Sequence, residues 1–424
     1  MAALNALLDW LYLQQERGVH PGLGRVRQLL GLLGDPQDSF RSVQVGGTNG
    51  KGSTTRMLST ILRAAGWGPV GEYTSPHLHR FSERLQVDGR EVGDEELADL
   101  LATLRHLHMT VPATFFEIVT AAALEHFRRS GVRWAVLEVG MGGRLDATTA
   151  ASIELAVITG VSLDHTAILG GKVEEIASEK AGIIRPSVPV VTGAAGAALA
   201  VIARRAREMG APLWVLGREV VLASRTVPDG QEVVVETPAG RASGPVQLRG
   251  AHQARNAALA AAAALALGAP PEAVGEGLAA TRWPGRLDLV PGQPDVLVDA
   301  AHNPEGAAAL ASHVRDEHPE RYVTLVVAGL ADKDLGGVAA ELAPLASLVI
   351  ATRPRTAGRA ASPYAVAAHY PGALSAPDPA AALAMARERT PAGGLVVVAG
   401  TIPLAAEALE VLRGTSGEGR TRLQ

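Results

Sequence analysis

The chain alternates short runs of apolar, often β-branched residues with stretches in which apolar residues recur every three or four positions. In the first half, the β-like runs cover residues 42–45, 134–139, 155–158 and 188–191, and helical stretches cover 54–65 and 116–129. After residue 285 the alternation restarts, with β-like runs at 296–299, 322–328, 348–352 and 395–399. Strands that alternate with helices predict parallel sheets with crossover helices.

Residues 213–248 follow another pattern. Short alternating runs at 219–224 and 232–236 flank the turn signal Pro228-Asp229-Gly230, which predicts an inserted antiparallel hairpin. Pro284-Gly285 reads as a linker. We therefore predict an α/β protein with two domains: residues 1–285, with a parallel sheet and a small antiparallel insert, and residues 286–424, a Rossmann-like α/β domain. The second domain lacks a Gly-x-Gly-x-x-Gly fingerprint, so we expect no dinucleotide there.

Composition narrows the possible partners. The formal net charge of the 424 residues is −4 and no long basic run occurs, so we expect no nucleic-acid partner. Without cysteine, a metal must be held by oxygen and imidazole, and magnesium fits best. The longest apolar run, 257–267, is too short to span a membrane, and no charged-then-apolar leader opens the chain. We expect a cytoplasmic protein with no membrane partner.

The segment from Val43 to Thr55 carries the clearest chemistry. A short apolar strand runs through Gly46-Gly47-Thr48-Asn49-Gly50 into a helix that begins near Lys51-Gly52-Ser53. Glycines let backbone N–H groups surround phosphate oxygens, the helix N-terminus adds its positive dipole, and a lysine supplies a point charge. The segment therefore predicts a nucleotide-binding P-loop, although Gly52 separates the lysine from the serine that usually follows it directly.

Lysine is scarce in this chain. Only four of the 39 basic residues are lysines, namely Lys51, Lys172, Lys180 and Lys333. Arginine can replace a generic positive charge but cannot offer a compact ammonium or a nucleophilic amine. We therefore expect Lys51 and Lys180 to do chemistry that needs an amine, whereas Lys172 fits an ordinary surface position. For Lys180 a basic cap at a helix C-terminus is an alternative.

Polar residues follow several predicted strands. Glu138 ends one strand and Asp164-His165 follow the next, at the carboxyl ends where α/β sheets bind ligands, so Glu138 and His165 are candidate metal ligands. In the second domain, Asp299 and His302 follow a strand and precede a helix that starts with Pro304. An acid there commonly binds ribose hydroxyls, although His302 and Asn303 can also serve only as helix-entry residues.

Ten ordered motifs resemble those of a known family, and the resemblance runs from about Leu23 to Thr401. They are Gly47 to Ser53, Thr74 to Leu78, Arg80 to Arg84, Thr114 to Glu117, Glu138 to Thr149, Leu163 to His165, Glu179 to Gly182, His252 to Asn256, Trp283 to Leu287 and Asp299 to Pro304. The chain resembles folylpolyglutamate synthase and dihydrofolate synthase, of the Mur ligase superfamily. The resemblance implies an ATP-dependent amide ligase of folate biosynthesis and one-carbon metabolism. Such an enzyme phosphorylates a carboxylate of dihydropteroate or a reduced folate and then adds L-glutamate. We expect both activities in a monomer.

The resemblance also implies residue roles. Catalytic roles fall to Lys51, Lys180 and His302, with Lys180 resembling the carbamylated lysine of the family. ATP binding falls to Asn49, Gly50, Lys51, Gly52, Ser53, Asn256, Arg286 and Asp299. Two magnesium ions are implied, with ligands at Ser53, Ser75, Glu138 and His165. The folate or pteroate pocket comprises Arg84, Thr114, Phe116, Glu117, Leu145, Asp146 and Ala147, and glutamate contacts are Ser75, His302 and Thr401. Thr149 stands where the family usually has asparagine.

Two other functions compete with this interpretation. A UDP-muramyl peptide ligase shares the fold and the acyl-phosphate chemistry, but only 46 residues precede Gly47, too few for its usual UDP-binding domain. A non-catalytic ATP-binding switch protein would keep the P-loop but would not need metal ligands, Lys180, Asp299 and His302 together.

Overall fold

A computed structural model describes residues 2–18 and 20–415; Met1, Val19 and residues 416–424 lie outside the described part. The chain forms two compact units. The first comprises Met1–His77, Phe81–Gln247 and Gln253–Arg282, and the second comprises Leu78–Arg80, Leu248–His252 and Trp283–Gln424. The domain boundary predicted after residue 285 lies just inside the long segment of the second unit and stays a prediction.

The helices before the long segment of the second unit are α1 (Ala2–Leu13), α2 (Gly24–Leu32), α3 (Lys51–Ala64), α4 (Asp94–His108), α5 (Phe115–Arg129), α6 (Thr166–Leu169), α7 (Val173–Ala181), α8 (Gly196–Glu208), α9 (Ala251–Ala266) and α10 (Pro271–Ala280). The strands are β1 (Arg41–Gly46), β2 (Val70–Tyr73), β3 (Leu85–Val87), β4 (Arg90–Glu91), β5 (Trp134–Glu138), β6 (Leu155–Ile158), β7 (Val190–Thr192), β8 (Leu213–Val215), β9 (Val221–Val227), β10 (Gly230–Thr237) and β11 (Gly240–Val246).

The main sheet of the first unit has the strand order β4-β3-β2-β5-β1-β6-β7-β8. The strands from β2 to β8 in this order are parallel, and β3 and β4 form an antiparallel edge. Strands β5 and β6 are buried throughout because helices cover both faces, which explains their continuous apolar sequences. Val45 of β1 lies beside Glu138 of β5, and Gly46 lies beside Ile158 of β6. The carboxyl ends of these three strands therefore meet at one edge.

The predicted antiparallel insert is confirmed. Strands β9, β10 and β11 form a separate three-stranded sheet, with β10 in the middle. Val227 pairs with Gly230, so Pro228 and Asp229 form the two-residue turn that the sequence indicates.

The second unit is the predicted Rossmann-like α/β domain. Its helices are α11 (Pro304–Glu317), α12 (Leu335–Leu342), α13 (Pro363–Ala367), α14 (Pro379–Arg389) and α15 (Ile402–Arg413), and its strands are β12 (Asp288–Val290), β13 (Asp295–Val298), β14 (Val323–Val327), β15 (Leu348–Ala351), β16 (Leu374–Ser375) and β17 (Leu395–Ala399). The strand order is β12-β13-β17-β14-β15-β16, with only β12 antiparallel to its neighbour.

Successive residues along the strands of the second unit pack alternately into two hydrophobic cores. Leu297 packs in one core with residues of α11 and α12, whereas Val296 and Val298 pack in the other with residues of α14 and α15. Successive side chains of a strand point to opposite faces, so a strand that is apolar at every position predicts a sheet covered on both sides. Within the described residues, no helix is long and apolar enough to cross a membrane.

Candidate active site

The predicted P-loop joins the central strand β1 to helix α3. Gly47 and Gly50 have φ angles of +143° and +83°. A Cβ atom on Gly47 would collide with Oγ1 of Thr159, and one on Gly50 would collide with Oδ1 of Asn256. Glycine is therefore required at both positions by backbone conformation and by space. Because Gly50 is also the N-cap residue of α3, no side chain of the cap covers the first turn of the helix.

Residues that follow β6 hold the P-loop in place. The Thr159 hydroxyl donates to the Asn49 carbonyl at 2.6 Å. Thr48 and Ser162 exchange two hydrogen bonds: the Thr48 hydroxyl donates to the Ser162 carbonyl at 3.2 Å and accepts from the Ser162 N–H at 3.1 Å. The segment that follows β6 therefore holds the loop by hydrogen bonds, in addition to the backbone conformation that Gly47 and Gly50 allow.

Both lysines that were predicted to do chemistry contact this loop. Lys51, the first residue of α3, donates its Nζ to the Thr48 carbonyl at 2.9 Å. Lys180, near the end of α7 and only 4 % exposed, donates its Nζ to the Gly47 carbonyl at 2.7 Å. The Lys180 amine therefore reaches from its helix to the P-loop. The catalytic roles of the two lysines stay predictions.

Three of the four predicted metal ligands are buried or half-buried at the carboxyl edge of the main sheet. Glu138, which ends β5, accepts a hydrogen bond on Oε2 from the Ser75 N–H at 2.8 Å, and Ser53 is buried in the first turn of α3. His165 follows β6 with a φ angle of +51°, and its side chain is 45 % exposed.

The chemistry of this set suits a hard cation. It offers one carboxylate, two hydroxyls and one imidazole, and magnesium commonly completes its shell with phosphate oxygens and water. Among the described residues, no group of three or more His, Asp or Glu side chains could by itself hold a metal ion.

Two members of the predicted folate pocket form the N-terminus of α5. Thr114 and Glu117 make a capping box: the Thr114 hydroxyl accepts from the Glu117 N–H, and the Glu117 carboxylate accepts from the Thr114 N–H at 2.7 Å. Arg25 pairs with the same carboxylate at 3.0 Å. Phe116 lies between the two capping residues in the first turn of α5, and its ring centroid is 6.0 Å from that of Tyr73. The capping residues thus hold Phe116 in place.

Asp146 organises the glycine-rich segment after β5. Its Oδ2 accepts from the N–H groups of Gly140 and Met141, each at 3.0 Å, and its Oδ1 accepts from the Thr148 N–H. Burial raises the pKa of Asp146, and these hydrogen bonds oppose that shift. Leu145 is half-buried and Ala147 is buried beside it. The Asp146 carboxylate therefore fixes the conformation of this loop through its hydrogen bonds to the backbone.

Thr149, which replaces the usual asparagine, has a structural role that the sequence did not indicate. It is buried, its hydroxyl donates to the Gly143 carbonyl at 2.8 Å, and it accepts from Nε2 of Gln44 at 2.7 Å. A hydroxyl meets both demands because it is a donor and an acceptor at once.

Arg84, another residue of the predicted folate pocket, is a charged side chain with no exposure to solvent. Its Nε donates to Nδ1 of His77 at 2.8 Å. The motif marked Arg84 as a candidate, but sequence reasoning missed His77 because the two residues face each other across a turn.

Asn256 lies beside the P-loop in the first unit, where its Nδ2 donates to Oε1 of Gln253 at 3.0 Å. The other predicted ATP contacts, Arg286 and Asp299, belong to the second unit. The Asp299 carboxylate accepts from the N–H groups of Leu287 and Ala301, each at 2.8 Å. Burial raises the pKa of Asp299, and the charge of Arg286 opposes the shift.

The predicted glutamate contacts of the second unit lie at helix entries. His302 donates its Nδ1–H to the Ala300 carbonyl at 3.0 Å, and Asn303 caps α11. Thr401 caps α15 through the Leu404 N–H at 3.0 Å. Strands β13 and β17 are neighbours, so both segments leave the same edge of the second sheet.

Two domain families match the chain. The Mur ligase middle domain matches residues 45–264, and the glutamate ligase domain of Mur ligases matches residues 285–402. A probable bifunctional folylpolyglutamate synthase/dihydropteroate synthase of Haloferax volcanii is 38 % identical over 96 % of this chain. The chain spans 50 % of the length of that relative.

Two further proteins are similar over most of their lengths. The dihydrofolate synthase/folylpolyglutamate synthase of Bacillus subtilis is 37 % identical, over 77 % of this chain and 79 % of the relative. A crystal structure of the bifunctional folylpolyglutamate synthase/dihydrofolate synthase of Yersinia pestis, complexed with AMPPNP and a Mn ion, has a TM-score of 0.87 and 32 % identity. It covers 97 % of this chain and 98 % of that one. The chain belongs to the folylpolyglutamate synthase/dihydrofolate synthase family of Mur ligases.

Proposed function

We propose that this protein is an ATP-dependent ligase that adds L-glutamate to dihydropteroate and to the γ-carboxyl group of reduced folates. The observation that carries the proposal is the P-loop of a Mur ligase chain, with the amines of Lys51 and Lys180 on its backbone and Glu138 held by Ser75 at the same sheet edge. Family membership favours folate acceptors over a UDP-muramyl peptide.

The reaction runs in two steps. A carboxylate oxygen of the acceptor attacks the γ-phosphorus of ATP, the bond to the bridging oxygen breaks, and ADP leaves. The amine of L-glutamate then attacks the carbonyl carbon of the acyl phosphate, the carbon–oxygen bond to phosphate breaks, and the amine loses a proton. Because the transferred phosphoryl group is highly charged, positioning and electrostatic stabilisation dominate catalysis.

The P-loop residues Asn49 to Ser53 bind the phosphates of ATP in this proposal. The first turn of α3 supplies backbone N–H groups, and its dipole favours the negative charge. The Lys51 ammonium lies at the helix start, where it can move from the Thr48 carbonyl to a phosphate oxygen. The ATP roles of Asn256, Arg286 and Asp299 stay predictions, as do the glutamate roles of Ser75, His302 and Thr401.

Magnesium is the metal we assign to the carboxyl edge of the main sheet. Ser53, Ser75, Glu138 and His165 would hold it, with phosphate oxygens or water completing the shell. When bound, the cation neutralises charge that develops on the phosphate oxygens. Two ions and a carbamate on Lys180 are part of the proposal: the Lys180 amine combines with CO₂, loses a proton, and gains oxygens that suit magnesium or its water shell.

A phosphate-release assay on the purified protein tests this function. With ATP and L-glutamate present, we expect release to depend on dihydropteroate or tetrahydrofolate and on magnesium. Release that requires a UDP-muramyl peptide instead would assign the chain to a muramyl ligase. ATP binding without release under any of these conditions would favour the non-catalytic switch protein. Sedimentation of the same sample tests the predicted monomer.

A further inference from the structure

Arg84 is the largest side chain among the fully buried residues that the structure describes. Its Nε donates to Nδ1 of His77 at 2.8 Å, which fixes the plane of the guanidinium group. Neither terminal nitrogen, Nη1 nor Nη2, has a hydrogen-bond partner in the described part of the chain. Two adjacent donor groups of a buried cation are thus left for another partner.

Such an arrangement is costly. A buried donor without a partner destabilises the fold, and a charged donor does so more than a neutral one, so an unpartnered guanidinium calls for a specific explanation. Burial lowers the pKa of Arg84, whereas Tyr12, Tyr73 and Glu138 act in the opposite direction. The guanidinium nevertheless stays charged at neutral pH, because arginine is not deprotonated in proteins.

The surroundings of Arg84 combine an aromatic wall with the predicted metal ligands. Its Cζ lies 5.7 Å from the ring centre of Phe81 and 5.6 Å from that of Phe115, and Tyr12 of α1 stacks on Phe115 at 5.6 Å. The Arg84 carbonyl accepts from the Thr74 N–H at 3.1 Å, which ties Arg84 to the segment that presents Ser75 to Glu138.

We propose that the two terminal nitrogens of Arg84 bind the carboxylate of the acceptor substrate, the group that receives phosphate and then L-glutamate. This inference rests on the proposed function and deepens it, because it assigns Arg84 to the reacting carboxylate and not to the pterin ring. A planar guanidinium fork matches a carboxylate through two parallel hydrogen bonds, and the pair is stronger than neutral hydrogen bonds.

The chemistry of the acceptor supports this assignment. Dihydropteroate carries a neutral pterin ring and a single carboxylate on an aromatic ring, so a buried cation beside aromatic side chains matches its carboxylate end. Since Arg84 is fully buried, side chains around it must move when the carboxylate enters. Arg84 acts as a positioning residue that orients the carboxylate, and no bond forms or breaks on it.

Two matched ligands separate recognition of the carboxylate from recognition of the pterin. The first is dihydropteroate, and the second is its analogue in which hydrogen replaces the carboxylate. Calorimetry should show that Arg84→Met weakens dihydropteroate binding about tenfold or more, the range for a charged hydrogen-bonded pair, while affinity for the analogue stays unchanged. Equal loss for both ligands, or no loss for either, would overturn the proposal.

Two further variants keep the test decisive. Arg84→Lys keeps the positive charge but not the two parallel donors, so it should fold even if Arg84→Met does not. Its loss of affinity should again be confined to dihydropteroate. An equal loss of affinity for both ligands would count against the proposal. Arg56→Met is the matched control, because Arg56 is mostly buried and pairs with Glu72 at 3.0 Å. It should lower the unfolding temperature without changing the ratio of the two affinities. Failure of the wild-type protein to bind dihydropteroate would refute the proposed function itself.

Discussion

At the scale of single residues, the amines of Lys51 and Lys180 come from different helices and donate to neighbouring carbonyls of one loop, those of Thr48 and Gly47. The scarcity of lysine indicated that each residue needs an amine. It did not indicate that both serve one loop, because Lys180 lies 129 positions after Lys51 in the sequence. Their roles are separable by substitution, since one is half-exposed and the other is buried.

Lys51→Ala should abolish turnover and leave the fold intact. A half-exposed lysine contributes little to stability, whereas charge placed on the transferred phosphoryl group is worth several kcal/mol. We expect kcat below about a tenth of the wild-type value, measured by phosphate release, with an unchanged unfolding temperature. Lys172→Ala is the control, because Lys172 is exposed and should tolerate the change. Retention of more than that tenth would remove Lys51 from the mechanism.

Lys180→Arg tests whether an amine, and not a positive charge, is needed. Arginine can replace a lysine in a salt bridge at almost no cost, but it cannot form the proposed carbamate. We expect a preserved fold, a higher magnesium requirement and a lower kcat. Activity of Lys180→Ala should be partly restored by acetate, which supplies a carboxylate. Because Lys180 is buried, circular dichroism and thermal unfolding must first show that each variant folds. Full activity of Lys180→Arg would contradict the proposal.

At the scale of secondary-structure elements, Thr114 should contribute to stability through the N-terminus of α5. Thr114→Ala removes the oxygen that accepts from the Glu117 N–H, and losing such a cap costs about 1 kcal/mol. In a unit of this size, we expect the unfolding temperature to fall by about 2–4 °C. Thr114→Ser keeps the oxygen and should keep the stability. If the two variants unfold at the same temperature, the hydroxyl is not acting as a cap.

Helix α11 should make stability depend on pH through His313. Burial lowers the pKa of this histidine to about 4 from an ordinary 6.5, with the charge of His318 adding to the shift. Between these values the unfolded chain binds a proton and the folded chain does not. Stability is therefore lost as pH falls from about 6.5 to about 4, by up to about 1.4 kcal/mol per pH unit. Urea unfolding at pH 7, 5.5 and 4.5 should show a shallower loss in His313→Leu; identical slopes would contradict this assignment.

The sequence predicted the elements unevenly, and the reason is physical. The buried strand β6 was predicted residue for residue, and α11 begins at Pro304 as predicted, because an apolar run and a proline mark these two elements clearly. Strand β2 was missed, since Gly71 and Glu72 interrupt its apolar pattern. Glu72 is nevertheless buried, because Arg56 neutralises it. A strand whose charge is compensated by a distant residue cannot be recognised from local pattern alone.

At the scale of the whole molecule, the two-unit α/β architecture was predictable from the restart of the strand–helix alternation. Each unit has its own hydrophobic cores, formed by strand residues that are apolar on both faces. The candidate site was predictable only as a set of residues at strand ends. The contacts that distinguish these residues depend on chain segments that come together only in the folded protein. Examples are the hydrogen bond from Arg84 Nε to His77 and the one from the Thr149 hydroxyl to the Gly143 carbonyl.

One chain should perform both ligations, and the two acceptors should compete. The first unit offers one P-loop, and the predicted pocket residues Thr114, Phe116 and Asp146 all lie in that unit. Dihydropteroate and tetrahydrofolate share the pterin and aminobenzoate groups, so both should occupy this pocket. In the glutamate-addition assay, dihydropteroate should raise the apparent KM for tetrahydrofolate without changing kcat, and Lys51→Ala should abolish both reactions. Extension of tetrahydrofolate without any ligation to dihydropteroate would leave a monofunctional enzyme, and inhibition that lowers kcat would indicate separate acceptor sites.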